Sequence, residues 1–346
     1  MYKTSWGSTL MTIILSLALG AGAILLLGYD PIEAYYQLFR GAFVGKFNIG
    51  GVMERFVPLM LTALAFAVSA KVAVFNVGVE GELYLGAIAA AWAGYAFTGL
   101  HPLVHIPLCF AVAMVASGAW GAIPGALKAY WKVNEVCVTI LMNYVAIYFT
   151  SYLVGNPFSA RASIPRTPTI EESARLLRIL RPSRANIGIF VALGVLVLVW
   201  WMLYHTNWGY KLRHVGQNPS FSEYVGIPPK KAMIWGMILS GAIGGLAGAI
   251  EVMGIHGHFL DNFSPGIAFD GMLASLIAKN DIRMVPVLSL FLAVLKTGAL
   301  GMERFTGVPK TLIDTIIAVF ILLAAMEGLF AYSRRRSARS SGEEAA

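Results

Sequence analysis

The sequence predicts an all-α polytopic membrane protein of about ten transmembrane helices, a reading that rests on composition, on the length of its apolar runs and on where its basic residues gather. Of 346 residues, 58% are hydrophobic and only 13% charged, whereas soluble domains carry about 25% charged residues. Runs near the ~20 apolar residues that suffice to cross a bilayer recur along the chain. Lysines and arginines concentrate between and after these runs, as they do in cytoplasmic loops of membrane proteins. The formal charge of +8 is therefore a matter of membrane topology and excludes nucleic acid as the expected partner.

The runs fall at 9–28, 56–75, 83–100, 104–124, 135–154, 187–204, 232–253, 268–280, 286–301 and 311–330, the eighth being short. Together they form one transmembrane domain over 1–346 in the bilayer. The first contains Ala21-Gly22-Ala23, which superficially suits signal cleavage, but it continues through Ile24-Leu25-Leu26-Leu27 and so reads as an uncleaved helix. Cys109 and Cys137 lie inside apolar runs and read as small buried hydrophobes. The 205–231 segment carries Lys211, Arg213, Lys230 and Lys231, and the tail 331–346 carries Arg334, Arg335, Arg336 and Arg339. Both belong in the cytoplasm, which puts the N-terminus there too. The loop at about 155–186 is then outside, although it holds Arg161, Arg166, Arg175, Arg178, Arg181 and Arg184.

Between the second and third runs stands Phe75-Asn76-Val77-Gly78-Val79-Glu80-Gly81-Glu82, polar and glycine-rich. Carboxylates at membrane depth are costly and are usually retained for function. The glycines permit the backbone to leave helical geometry, which at that depth requires burial in protein or a wet cavity. The segment therefore reads as a break in a spanning helix at a translocation pathway. Glu80 either lines that path or accepts hydrogen bonds from the released backbone, and Asn76 reads as an anchor for the break. Glu135 opens a helix, where a carboxylate favours the positive dipole end. Asn143, two turns further on, faces a neighbouring helix or the cavity. Asp270 precedes Gly271 and caps the short eighth helix or faces the pathway.

The 205–231 segment leaves a helix at His205 and turns at Asn218-Pro219. Ser220 can cap a short helix with Glu223 at its third position, and Gly226 followed by Pro228-Pro229 ends it. A short, bracketed helix between two spans suits docking of a cytoplasmic partner. Gly241, Gly244, Gly245 and Gly248 form a small-residue packing face. His256-Gly257-His258 has no acidic or cysteine partner at ligand spacing, so no metal is expected. No H-E-x-x-H cluster and no G-x-x-x-x-G-K-[ST] phosphate loop is present, which argues against a membrane enzyme and against ATP hydrolysis by that route.

The 75–82 motif, then Val133-Asn134-Glu135-Val136 with Met142-Asn143-Tyr144, Gly216-Gln217-Asn218-Pro219 with Tyr224-Val225-Gly226-Ile227, Phe269-Asp270-Gly271 and Gly307-Val308-Pro309 resemble the permease subunits of bacterial ABC importers for nucleosides and simple sugars, a group related to ribose-type and branched-chain amino acid permeases. The resemblance runs in order along nearly the whole chain. It implies a type II, vitamin-B12-importer-like architecture in the bacterial inner membrane, paired with a second permease as a heterodimer or with a copy of itself as a homodimer. It further implies a cytoplasmic ATPase that binds ATP and Mg and docks on Gly216, Asn218, Pro219, Tyr224, Gly226 and Ile227, and an extracytoplasmic lipoprotein that delivers substrate. Pathway candidates are Phe75, Asn76, Gly78, Glu80, Gly81, Asn143 and Asp270. Family members usually have glutamine at the position of Glu82 and small residues at those of Phe221 and Ser222. The alternative reading is a standalone secondary transporter or channel for a small polar solute, which would favour an inverted repeat and membrane-embedded acids.

Overall fold

The computed structural model describes residues 6–309, 311–316 and 318. Their regular structure is helical, with no strand among them beyond two isolated bridges. The helices are α1 (Trp6–Leu26), α2 (Pro31–Phe43), α3 (Lys46–Ala70), α4 (Val79–Ala96), α5 (Pro102–Trp131), α6 (Glu135–Gly155), α7 (Gly188–His205), α8 (Asn207–Gln217), α9 (Pro219–Tyr224), α10 (Pro229–Ile250), α11 (Ile267–Ile277) and α12 (Val285–Thr306). Among the described residues, six helical stretches are long and apolar enough to cross a membrane: α3, α5, α6, α7, Pro229–His256 and α12. The tenth expected run, 311–330, and the basic tail lie almost wholly outside the described residues.

Six is a count by length and apolar composition among the described residues, and the remaining expected runs depart from it for physical reasons. Helix α4 is long enough, yet its first turn carries Glu80 and Glu82 and it is buried over most of its length, so neighbouring helices rather than lipid surround it. Helix α11 has 11 residues, too few for the ~20 that span a bilayer. Helix α3 starts ten residues before the apolar run and stops at Ala70, which leaves 71–78 as a non-helical link between two helices instead of a break within one. Two helices were not expected: α2, begun by the Asp30 side chain accepting from Ile32 N at 2.8 Å with Pro31 at its first position, and α8, capped by Thr206 accepting from Gly209 N at 3.1 Å.

The chain divides into two compact units, Gly45–Ala293 and Met1–Val44 with Val294–Ala346. In the second of these, α2 meets the C-terminal half of α12 at glycines. A Cβ on Gly41 would stand 2.7 Å from the Gly301 Cα, and one on Gly298 would stand 2.5 Å from the Leu38 carbonyl oxygen. The Tyr35 hydroxyl donates to the Leu17 carbonyl at 2.6 Å.

In the larger unit α10 is the hub, packing chiefly on α5, then on α4 and α3. Its glycines serve two neighbours: Gly241 and Gly245 lie against Ser117 of α5, while Gly248 lies against the Leu83 carbonyl and the Ala87 nitrogen of α4. The expected packing face is thus two faces on one helix. Beyond Ile250 the chain makes a π-helical turn, Glu251–His256, closed by left-handed Gly257 at φ 73. The 155–186 loop is laced to this turn through Thr167 N to Phe259 O, Ile170 N to Gly257 O and Leu176 N to Met253 O, at 2.9–3.1 Å. Cys109 is buried as expected, but Cys137 is exposed, because α6 buries one face only and turns the other outward.

Replacing Gly248 by leucine should be more damaging than the ~1–3 kcal/mol typical of an overfilled core, because its neighbours are backbone atoms. The same change at Gly194 of α7, where a Cβ meets nothing within 4 Å, should be tolerated. Thermal unfolding and monodispersity in detergent of the two variants check this.

Candidate functional site

Residues 71–82 pass between packed helices without helical hydrogen bonds for most of their length, so side chains supply the partners that the backbone lacks. The turn itself is made by Ala73, a non-glycine residue in the left-handed region at φ 57. Asn76, fully buried, follows. Its Oδ1 accepts from Gly78 N at 2.9 Å, and its Nδ2 donates to Glu82 Oε1 at 2.9 Å and Ser240 Oγ at 3.0 Å. Ser240 in turn donates to the Ala65 carbonyl at 2.8 Å. One asparagine therefore ties the link to α3, α4 and α10.

Helix α6 holds the other side. Asn143 Nδ2 donates to the Val77 carbonyl at 2.9 Å while its Oδ1 accepts from Gly81 N at 2.8 Å, and Thr139 Oγ1 accepts from Val77 N at 3.2 Å. Thr139 and Asn143 are four apart, hence on one helix face. The glycines serve proximity here. Gly78 has φ −76, and Gly81 lies within α4. A Cβ on Gly78 would stand 3.0 Å from Asn76 Oδ1, and one on Gly81 would stand 3.0 Å from the Ala146 Cβ. The expectation that these glycines unwind a helix is corrected: they admit α6.

Glu80 is buried at 3% exposure and turns to the start of α11 instead. Its Oε2 accepts from Ala268 N at 2.8 Å and its Oε1 from the Ser264 hydroxyl, which also accepts from Ile267 N at 3.1 Å. Glu80 thus supplies from α4 a side-chain acceptor for the start of α11, whose own cap, Gly266, makes no side-chain cap hydrogen bond. Asp270, expected as that cap, is instead the fourth residue of α11. Tyr84, one turn beyond Glu80, joins Phe263 at 4.9 Å and Phe259 at 6.2 Å between ring centroids. Phe75 is more exposed, at 36%, and packs edge-on against Phe66 at 4.8 Å. The structure brings Asn76, Gly78, Gly81 and Asn143 together, puts Glu80 in a second cluster with Asp270 within electrostatic reach of it, and leaves Phe75 on Phe66. Thr139, Ser240 and Ser264 complete both clusters and were not foreseen. Glu135 pairs with Lys128 at 2.6 Å across the α5–α6 turn, while the cap of α6 is Asn134, accepting from Val136 N and Cys137 N at 3.0 and 3.2 Å.

The 205–231 segment forms α8 and α9. Asn218, not Ser220, caps α9: its Oδ1 accepts from Phe221 N at 2.9 Å with Pro219 at the first helical position. Proline's fixed φ suits that position, and this displaces the cap by two residues. At the other end Gly226 N donates to Glu223 O at 3.0 Å and Ile227 N to Ser222 O at 2.9 Å, with Gly226 at φ 80, a Schellman motif. Phe221, Tyr224 and Val225 project outward at 54%, 91% and 55% exposure. Gly216, at the end of α8, abuts the Lys71 carbonyl directly, and Gly236 abuts Val72.

At the far end of α10 a cavity of about 320 Å³ is lined by Arg175, Arg178, Arg181, Glu172 and His256, among others. Only Arg175 of these arginines is paired to a carboxylate among the described residues, with Glu172 at 3.3 Å. The positive field is felt by His258, whose pKa is lowered by burial and then by Arg166, His256 and Arg175.

The family model described as the branched-chain amino acid transport system / permease component matches residues 48–326. The guanosine ABC transporter permease protein NupP of Bacillus subtilis is 38% identical over 91% of this chain and 92% of its own. The nucleoside ABC transporter permease protein NupB of Lactococcus lactis is 32% identical over 92% and 90%, and the glucose ABC transporter permease protein TsgB13 of Haloferax volcanii is 31% identical over 94% and 88%. B. subtilis also has a second guanosine permease, NupQ, 25% identical over 76% and 81%.

Asn143→Ala would leave the Val77 carbonyl and the Gly81 N–H buried without partners, at about 1–3 kcal/mol each. Its melting temperature should fall well below that of Asn143→Asp, which keeps an acceptor for Gly81. Glu80→Gln should unfold near the parent temperature, whereas Glu80→Ala, which strips Ala268 N and the Ser264 hydroxyl of their acceptor, should not.

With a family model covering most of its length and relatives matching nearly all of it, this chain belongs to the branched-chain amino acid transport system permease family, and within it to the ABC transporter permeases.

Proposed function

We propose that this chain is one half of the membrane core of an ATP-driven importer for nucleosides or simple sugars, in a bacterial cytoplasmic membrane. The observation that carries the reading is the direct backbone contact between Gly216 and Lys71. It joins the segment bearing the exposed helix α9 to the link that Asn76 and Asn143 hold. A partner that binds and hydrolyses ATP with Mg seats on Phe221, Tyr224 and Val225, a patch of apolar side chains on an otherwise solvated loop. Its movement passes through α8 to Lys71 and from there to 71–82, without a flexible joint between.

Substrate class follows from the named relatives, and the aromatic cluster of Tyr84, Phe259 and Phe263 offers ring faces of the kind that stack on bases or sugars. The occurrence of NupP and NupQ in one organism supports a heterodimeric core with a second, related permease. At the opposite end the arginine-lined cavity suits an acidic surface on a delivery lipoprotein, which accounts for an external loop rich in arginine.

Gly226→Val places a β-branched residue at φ 80, at a cost of roughly 1–2 kcal/mol confined to the end of α9. Co-purification with the ATPase and substrate-stimulated ATP hydrolysis should both fall, while the membrane domain keeps its melting temperature. Unchanged hydrolysis in that variant would remove α9 from the coupling path. Reconstituted alone with internal ATP, the chain should give no concentrative uptake.

A further inference from the structure

A second cavity, of about 310 Å³, lies on the outer side of α7, lined by Leu196, Val197 and Trp200 from α7 and by Ile282, Arg283 and Pro286 from the approach to α12. That is within the roughly 300–1,000 Å³ of small-molecule sites. Every lining side chain but Arg283 is apolar or aromatic. Helix α7 buries little of its surface, with only 22% of its span enclosed, and Leu193, Val197, Val287 and Leu290 continue the exposed apolar wall beside the groove. An exposed apolar wall of this kind on a candidate span suits contact with hydrocarbon.

Its polar end is a cluster of cations on aromatic rings. The Arg283 guanidinium sits 5.9 Å from the Trp200 ring centroid and 5.6 Å from that of Tyr204, and Arg213 of α8 sits 4.9 Å from the same Tyr204 ring. Two like charges on one ring repel and call for an anion. Neither guanidinium is salt-bridged to a carboxylate among the described residues, and Arg213 Nε is buried without a hydrogen-bond partner. The nearby carboxylate, Asp281, accepts from the Arg283 main-chain N–H at 3.0 Å and acts electrostatically on Lys71 as well. One carboxylate therefore answers three cations, Lys71, Arg213 and Arg283.

We propose that this groove binds one anionic phospholipid of the cytoplasmic leaflet, with an acyl chain along Leu196, Val197 and Pro286 and the phosphate between Arg283 and Arg213. Charge complementarity selects the occupant: an apolar slot ending in unneutralised guanidiniums matches a molecule with a long tail and an anionic oxygen cluster, and arginine forks suit phosphate. The choice of leaflet follows from the cytoplasmic placement of α8 and α9. Because Arg213 belongs to α8, the lipid would brace the segment that couples to Lys71.

The full chain in detergent is supplemented with phosphatidylglycerol or with phosphatidylcholine of the same acyl chains, then followed by native mass spectrometry and thermal unfolding. Phosphatidylglycerol should be retained at least tenfold more than phosphatidylcholine and should raise the melting temperature by several degrees. Arg213→Gln/Arg283→Gln should abolish the preference. Val197→Trp, which fills the slot and leaves the charges, should abolish retention. Equal retention of the two lipids, a preference that survives either variant, or the same stabilisation by inorganic phosphate would overturn the proposal. The assay contains no ATPase, so its failure is distinct from failure of α9 to couple.

Discussion

Backbone amides within a bundle of packed helices must be hydrogen-bonded, and those of Val77, Gly78 and Gly81 meet that requirement through side chains. Two asparagines carry most of it. Asn76 closes the turn on itself through Gly78 N and reaches Glu82 and Ser240, while Asn143 clamps Val77 and Gly81. Each amide side chain both donates and accepts, so each bridges two elements that cannot bridge each other. Three helices meet at this latch: α4 is enclosed with a polar first turn, α6 comes close because Gly78 and Gly81 have no side chains, and α10 presents Ser240 to complete the network.

The same economy of space joins the latch to the surface. Gly216 has no side chain, so α8 can rest on the Lys71 carbonyl, and α9 beyond it is held at both ends by a cap and a Schellman turn. On the proposed coupling route, movement of the exposed helix would have to break hydrogen bonds of the 71–82 link outright, since packed cores do not deform continuously. Glu80 extends the path to α11, whose N-terminus depends on a carboxylate from another helix.

Much of this architecture is legible in the residues themselves. The polar 75–82 stretch, Asn143 and the bracketed 216–227 segment all stand out, because polar groups in apolar surroundings and proline-glycine punctuation are local signals. What stays hidden depends on distant neighbours. Ser240 and Ser264, more than 150 residues from their partners, look like any serine in an apolar run. Thr139 has a signal, its four-residue spacing from Asn143. A glycine shows its presence but not its reason: Gly78 and Gly81 read as helix breakers, and the structure requires them for clearance. Asn218 and Ser220 are equally good caps in isolation, and Pro219 decides between them. Composition likewise cannot separate a helix surrounded by lipid from one surrounded by helices, as the enclosed α4 is.

Hydrogen exchange of the assembled transporter, read on peptides covering 71–82, tests the central claim most directly. Protection of the amides at Val77, Gly78 and Gly81 close to that of α10 in the resting state, with a loss of protection when nucleotide is bound by the ATPase, is the predicted result. Fast exchange of this stretch in every state, as in an exposed loop, or slow exchange indifferent to nucleotide, would contradict the account.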